Sequence, residues 1–370
     1  MPSTRPRPSA ASPSPASPSC AATSRPAAPA TPSLPGWGLE WARDARRRKD
    51  CLIAARGIAV LVPLLVALLG VAVPAWACEP LRGALDVPTA LVLSGGGAKG
   101  AWEAGAAVAF VEAGLPVRLV AGSSAGALNA AMLADGRLDR LQALWSSVNR
   151  DQVYRLRPGV FFAGLLPGWL TLLTLDVAGS LFDPAPLRAL IAGAIDVERV
   201  RASPVRLVVV TTDLARREPR LFDNATVSVD ALMAAAAVPG AFPPVEVDGA
   251  LLVDGGLTGR APVLEALRAG PAVGRALVLL SYATGERGEP PTRLRRTLEE
   301  AFEMAMVHQI QRDVELARLK HPAVDVQTVT PSAPLGLRPL DFDTAGMAAA
   351  LARGRDDAAR CLAAWRGSRS

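Results

Sequence analysis

The chain has 370 residues, 50% of them hydrophobic, and a formal net charge of +6. That charge is confined to residues 1–77, which hold nine Lys and Arg against three Asp and Glu, whereas the remainder carries 31 of each. A neutral body excludes the nucleic-acid-binding surface that a pI near 9.7 would otherwise suggest, and its length is enough for one α/β domain with a substantial core.

Residues 1–50 form a leader. Its first 36 residues are Pro, Ser and Ala without helical or strand period, a composition that cannot bury a core and predicts disorder. Basic Arg46-Arg47-Arg48-Lys49 then precedes segment 51–77, whose apolar run from Ile58 to Ala77 ends in Ala75-Trp76-Ala77 before Cys78. Basic residues, an apolar stretch and an Ala-x-Ala site are the three regions of a secretory signal peptide. Three fates are open to it: cleavage after Ala77, retention as a membrane anchor, or lipid attachment at Cys78. Each places the rest of the chain outside the cytoplasm, whether periplasmic, secreted or anchored. The four cysteines, Cys20, Cys51, Cys78 and Cys361, show no metal-ligand spacing, and pairing of Cys78 with Cys361 is left open.

A catalytic domain is expected over 88–330. Strand-like Thr89 to Leu93 leads into Gly95-Gly96-Gly97-Ala98-Lys99-Gly100, and strand-like Val117 to Ala121 leads into Gly122-Ser123-Ser124-Ala125-Gly126. Each turn opens an alanine-rich stretch with helical spacing, the setting of a nucleophile elbow. Gly122 and Gly126 remove side chains that would collide beside a sharply turned Ser124. At the start of a helix, that serine also lies where N–H groups favour developing negative charge.

Apolar Val160 to Leu175, broken by Gly164, Pro167 and Gly168, is too short to span a membrane. It reads as an acyl groove, an interfacial lid or a helix packed on the sheet. Further strands are expected at Val205 to Val210, Ala250 to Val253, Ala276 to Ser281 and Val324 to Val329, with helices between them. This alternation predicts a three-layer α/β/α sandwich with a mostly parallel central sheet. Residues 331–370 read as a helical extension of the same domain, its helix running from about Asp343 to Trp365 and packing on the outside.

The strand ending at Val253 delivers Asp254-Gly255-Gly256. A serine hydroxyl needs a base. The two histidines read as surface or structural residues, His308 on the helical pattern Thr297 to Leu319 and His321 just past its end. Asp254 at a turn, desolvated enough to raise its pKa, is the better base.

The ordered set Gly-Gly-Gly-x-Lys-Gly, Gly-x-Ser-x-Gly and Asp-Gly-Gly resembles the patatin-like phospholipases over roughly Pro88 to Val329. That resemblance implies a patatin-like fold and a lipid acyl hydrolase of phospholipase A or lysophospholipase type, with no cofactor and no metal. It implies Ser124 as nucleophile, Asp254 as base, and Gly95, Gly96 and Gly97 as the oxyanion hole. Gly100, Gly122, Gly126, Gly255 and Gly256 are its motif glycines, and Lys99 is its customary basic residue. The implied partners are a phospholipid or lysophospholipid and a membrane surface, not nucleic acid. Further matches are Ser124 to Ala130, Thr212-Asp213-Leu214, and the helix before Pro239 and Phe242-Pro243-Pro244. Two positions depart from the family pattern: Ala235 stands where a serine is frequent, and Gly259-Arg260-Ala261-Pro262 lacks the usual asparagine. Support for the Asp254 loop must then come from elsewhere, with Thr258 and Arg260 as candidates.

Other classes compete. Gly95-x-Gly97-x-x-Gly100 after a strand also fits a dinucleotide fingerprint, but the next strand ends in Ala121-Gly122-Ser123 without the acid that holds a ribose. A phosphate-binding loop requires Ser or Thr after Lys99, where Gly100 stands. A catalytically weak lipid-binding scaffold of the same fold is the remaining alternative.

Overall fold

The structure is a computed structural model and describes residues 84–163, 170, 176–177, 179–283 and 290–367. The leader 1–50, segment 51–77 with Cys78, and most of Val160 to Leu175 lie outside the described residues. Among the described residues, no helix is long and apolar enough to cross a membrane.

In chain order, β1 (Thr89–Leu93) leads to α1 (Gly100–Glu112), and β2 (Val117–Gly122) leads to α2 (Ala125–Asp135). Helices α3 (Leu138–Ser147) and α4 (Ala185–Ala194) precede β3 (Arg206–Asp213) and β4 (Glu218–Asp223). Then come α5 (Val229–Ala235), β5 (Val245–Val247), β6 (Ala250–Asp254), α6 (Val263–Ala269) and β7 (Arg275–Leu279). Last are α7 (Leu294–Lys320), β8 (Asp325–Val329) and α8 (Thr344–Gly367). A separate antiparallel ribbon pairs Arg155–Leu156 with Phe182–Asp183.

Strands β8, β7, β1, β2 and β3 lie side by side and parallel, while β4, β6 and β5 add antiparallel pairings. Because successive side chains point to opposite faces, Leu91 and Leu93 enter one core and Ala90 and Val92 the other. The first core is completed by α1, α2, α3, α5 and α8, the second by α6 and α7. The fold is therefore a three-layer α/β/α sandwich about a mostly parallel sheet. All six expected strands are present, β1 with the expected ends and the others with an end shifted by one to three residues; β4 and β5 add to them. The edge strand β4, Glu-Pro-Arg-Leu-Phe-Asp, buries only Phe222, and Pro219 is tolerated there because an edge needs no second ladder.

The final helix does more than lie on the outside. A Cβ on Gly354 would run into the carbonyl oxygen of Trp102, and one on Gly105 into that of Leu351, so α8 and α1 meet backbone to backbone. The Trp102 indole N–H donates to Asp357 Oδ2 at 2.9 Å, both residues being fully buried. Trp365 is buried too, with the Arg275 guanidinium 4.3 Å from its ring centroid. Burial of α1 on all sides explains its apolar, alanine-rich composition.

One pairing positions the site. Val208 and Val209 of β3 pair with β2 and also with β4, while Thr211 to Asp213 pair with β6 and also with β4. Since a strand has two edges, β2 and β6 share the edge opposite β4. They run in opposite directions and meet head to head near Val210. Residues Gly122 and Asp254, the last of β2 and of β6, therefore face one another along one edge of β3.

Candidate active site

Just past the end of β2, Ser124 has φ 53° and ψ −136°, a backbone conformation few side-chain-bearing residues adopt. Its surroundings enforce that turn. A Cβ on Gly122 would strike the Gly126 carbonyl, and one on Gly126 would stand 2.5 Å from Leu93 O. The Ser124 N–H donates to Ala235 O at 3.0 Å, and the buried Ser123 hydroxyl donates to Arg260 O at 2.8 Å.

At the opposing strand end, Asp254 is 5% exposed. Its N–H donates to Ala237 O at 3.0 Å, its carbonyl accepts from Thr212 Oγ1 at 3.0 Å, and its Oδ1 accepts from the Gly256 N–H at 2.8 Å. Gly255 permits the junction itself, since a Cβ there would collide with Val210 O and press on Ser123. Burial pushes the Asp254 carboxyl above its ordinary value; the Gly256 N–H, the Ser124 hydroxyl and the Arg260 charge pull it back in part. Oδ2 is buried without a hydrogen-bond partner. The serine hydroxyl thus bears on the carboxylate without closing a full hydrogen bond.

Against this pair stands the glycine loop. Gly95, Gly96 and Gly97 all have positive φ, at 73°, 124° and 60°. A Cβ on Gly95 would lie 3.0 Å from Ser124 Cβ, so the loop abuts the elbow. The expectation that Gly95 lends its amide to an oxyanion is corrected by Glu103: the Gly95 N–H donates to Glu103 Oε2 at 3.0 Å. Glu103 Oε1 also accepts from the Ser94 hydroxyl at 2.6 Å and the Ser94 N–H at 3.1 Å. Burial pushes Glu103 up to about 8. The N–H groups of Gly96, Gly97 and Ala125 donate no hydrogen bond among the described residues. Gly97 lies under Pro339, whose carbonyl accepts from the Ala98 N–H at 2.9 Å. Gly100 contributes packing: it abuts Ala125 and Trp145, and its carbonyl accepts from Asn129 Nδ2 at 2.9 Å.

Ser124, Asp254, Lys99 and Arg260 line a cavity of about 1940 Å³. Leu181, Leu257, Phe302, Met304 and Leu340 also line it, each more than a third exposed. His308 reaches the same cavity from α7 with its side chain exposed. Among the described residues, no hydrogen bond joins His308 or His321 to Ser124 or Asp254.

Residues 91–267, which span the elbow, the glycine loop and the Asp254 junction, match the family model for patatin-like phospholipase. Over those residues the chain is similar to the patatin-like phospholipases. An uncharacterized NTE family protein of Mycobacterium tuberculosis is 32% identical to the chain over 191 residues, covering 51% of this chain and 48% of that one. A patatin-like phospholipase domain-containing protein of Caenorhabditis elegans is 29% identical over 175 residues, covering 46% of this chain and 12% of the other. The chain thus spans about half the length of the mycobacterial relative it matches. Among solved structures, VipD of Legionella pneumophila aligns at TM-score 0.41 with 15% identity, covering 77% of this chain and 69% of that one.

Both departures from that family's pattern have a structural account here. Ala235 serves through its carbonyl, which any residue would supply. Thr258 enters the support of the Asp254 loop through Thr212, their hydroxyls being 3.0 Å apart, and Arg260 offers its carbonyl to Ser123. Asp213 of the Thr212-Asp213-Leu214 motif holds its own turn: its Oδ1 accepts from the N–H groups of Ala215 and Arg216, each at 2.9 Å. Sequence reasoning did not find Glu103 or the Ala125 amide. A lone carboxylate inside the apolar run Gly100 to Val111 was the available signal for the first.

Proposed function

We propose that this protein is a serine ester hydrolase that cleaves acyl esters of lipids through a Ser124–Asp254 dyad. The observation that carries the reading is the head-to-head meeting of β2 and β6, which sets a strained serine against a desolvated carboxylate whose Oδ2 has no other partner. The match of residues 91–267 to the patatin-like phospholipase model supports lipid hydrolysis as the general class of activity.

In this mechanism Asp254 Oδ2 takes the proton of Ser124 as Oγ bonds to the ester carbonyl carbon. The carbonyl oxygen becomes an oxyanion within reach of the free amides of Gly96, Gly97 and Ala125, at the amino end of α2 where the helix dipole adds to their field. Collapse breaks the bond to the alcohol, which leaves with the proton from Asp254. Water then repeats the steps, with Asp254 as base, and frees the fatty acid and Ser124. The large cavity and its exposed apolar side chains suit a long acyl chain delivered from an aggregate, so a phospholipid or lysophospholipid at a membrane surface is the proposed substrate. Incubation with a panel of defined lipids, with products identified by mass spectrometry, tests this. Free fatty acid released by wild type and not by Ser124→Ala is expected; no release from any ester would contradict it.

Export is part of the same reading. Amino-terminal sequencing of protein recovered outside the cytoplasm should give a start at Cys78, and an intact chain confined to the cytosol would contradict export.

A further inference from the structure

Arg260 is 9% exposed, yet its guanidinium donates no hydrogen bond among the described residues. Its Nε is buried without a partner, and the facing carboxylate, Glu303, stands 3.9 Å from Nη2, beyond hydrogen-bond distance. A largely buried cation held by one long ion pair keeps its donors open to a further partner. Its position says which. The side chain passes Gly256, and Nη2 lies 3.2 Å from where a side chain on Gly96 would begin, so the cation sits against the loop whose Gly96 amide is free. It lines the same cavity as Ser124 and Asp254, and its charge is felt by both the Asp254 and Glu103 carboxyls. The backbone at Arg260 is fixed by the hydrogen bond from Ser123.

A rigid fork of donors, largely buried in the cavity that Ser124 lines and engaged by no hydrogen bond, fits an anion with two or more oxygens. An ester substrate that carries such an anion close to its acyl carbonyl is a glycerophospholipid. We infer that Arg260 binds the substrate phosphate and is the residue that makes this site prefer phospholipids to neutral acylglycerols. The inference rests on the hydrolase reading above. Oxyanion stabilisation is a weaker role for this group, because three main-chain amides already point to that task and a planar fork is wasted on a single oxygen.

The test compares kcat/KM for dihexanoyl phosphatidylcholine and for dihexanoylglycerol, both below their micelle concentrations, in wild type, Arg260→Gln and Arg260→Lys. A second arm measures binding of dihexanoyl phosphatidylcholine by calorimetry to Ser124→Ala with and without Arg260→Gln. Loss of one charge-assisted pair predicts that the phospholipid-to-glyceride ratio falls about 10-fold or more in Arg260→Gln, with a smaller fall in Arg260→Lys, which keeps the charge and loses the fork. Any change that Arg260 imposes on Asp254 affects both esters and cancels in the ratio. Calorimetric affinity should fall by a similar factor. Arg260→Gln keeps the main-chain carbonyl that holds Ser123 and gives up one long ion pair with Glu303, so it should melt close to wild type; should it fail to fold, Arg260→Lys carries the comparison. An unchanged ratio and unchanged binding would overturn the phosphate site while leaving the hydrolase reading intact. No turnover of either ester by wild type, with binding still lost on removal of Arg260, would overturn the hydrolase reading and uphold the phosphate site.

Discussion

The N–H of Asp254 donates to the carbonyl of Ala237 at 3.0 Å, and two residues earlier the carbonyl of Ala235 accepts from the N–H of Ser124 at the same distance. The segment from the end of α5 to Ala237 thus grips the main chains of Ser124 and Asp254 together, and their separation follows from the backbone of one short segment. Side-chain identity at position 235 is secondary to that grip.

The raised Asp254 carboxyl has a kinetic consequence. As a base it must be ionised, so kcat/KM should rise with pH along an acid limb displaced above the ordinary 3.8, and Asp254→Asn should lower kcat by about 100-fold or more. A pH–rate profile on a soluble ester measures both. An acid limb at or below the ordinary value would show that burial does not tune this group.

Glu103 links stability to pH in a defined sense. Folding raises its pKa from 4.5 to about 8, so the folded chain holds a proton that the unfolded chain has released. The stabilisation is full below the unfolded value and is lost as pH rises through the folded one. Thermal melts across that window should show a downward slope in wild type that Glu103→Gln largely removes. Parallel slopes would contradict the assignment. Because the same carboxyl anchors Ser94 and Gly95, Glu103→Ala should also lower kcat by roughly 10- to 100-fold through displacement of the glycine loop.

Gly255→Ala should disrupt the strand junction, because its Cβ has nowhere to go but into Val210 O. A loss of about 1–3 kcal/mol or more, read by denaturant unfolding, is expected, with activity falling alongside. Gly193→Ala is the matching control: nothing lies within 4 Å of a Cβ there, and α4 should gain about 0.5–1 kcal/mol. Equal tolerance at both positions would mean that the junction is looser than described.

Asp357→Ala should leave the buried Trp102 indole N–H without its acceptor and deprive the Ser332 N–H of its partner at 3.1 Å. Each orphaned donor costs about 1–3 kcal/mol, so the midpoint of urea unfolding should drop well beyond that of a surface substitution. A negligible change would show that α8 is not anchored through this contact.

Much of this fold was legible from pattern. The continuous apolar runs that became β1, β3 and β7 are buried on both faces, and such runs have one reading when glycine turns bound them. The motif order also named Ser124 and Asp254. What pattern lacks is pairing. That β2 and β6 share an edge of β3 follows from β4 occupying the other, and β4 is a charged, exposed strand with a proline that announces nothing. Gly95 read as an oxyanion donor because its motif position says so, while the carboxylate that takes its amide lies eight residues on, inside a helix. The closure of α8 onto α1 depends on two glycines 249 residues apart, a relation without local trace in the chain.

Covalent labelling tests the central claim most directly. Wild type treated with a fluorophosphonate and digested should yield one phosphonylated peptide, carrying the label on Ser124; Ser124→Ala should yield none, and Asp254→Asn should label about 100-fold more slowly. Label on a different residue, or labelling of Asp254→Asn at the wild-type rate, would contradict the dyad.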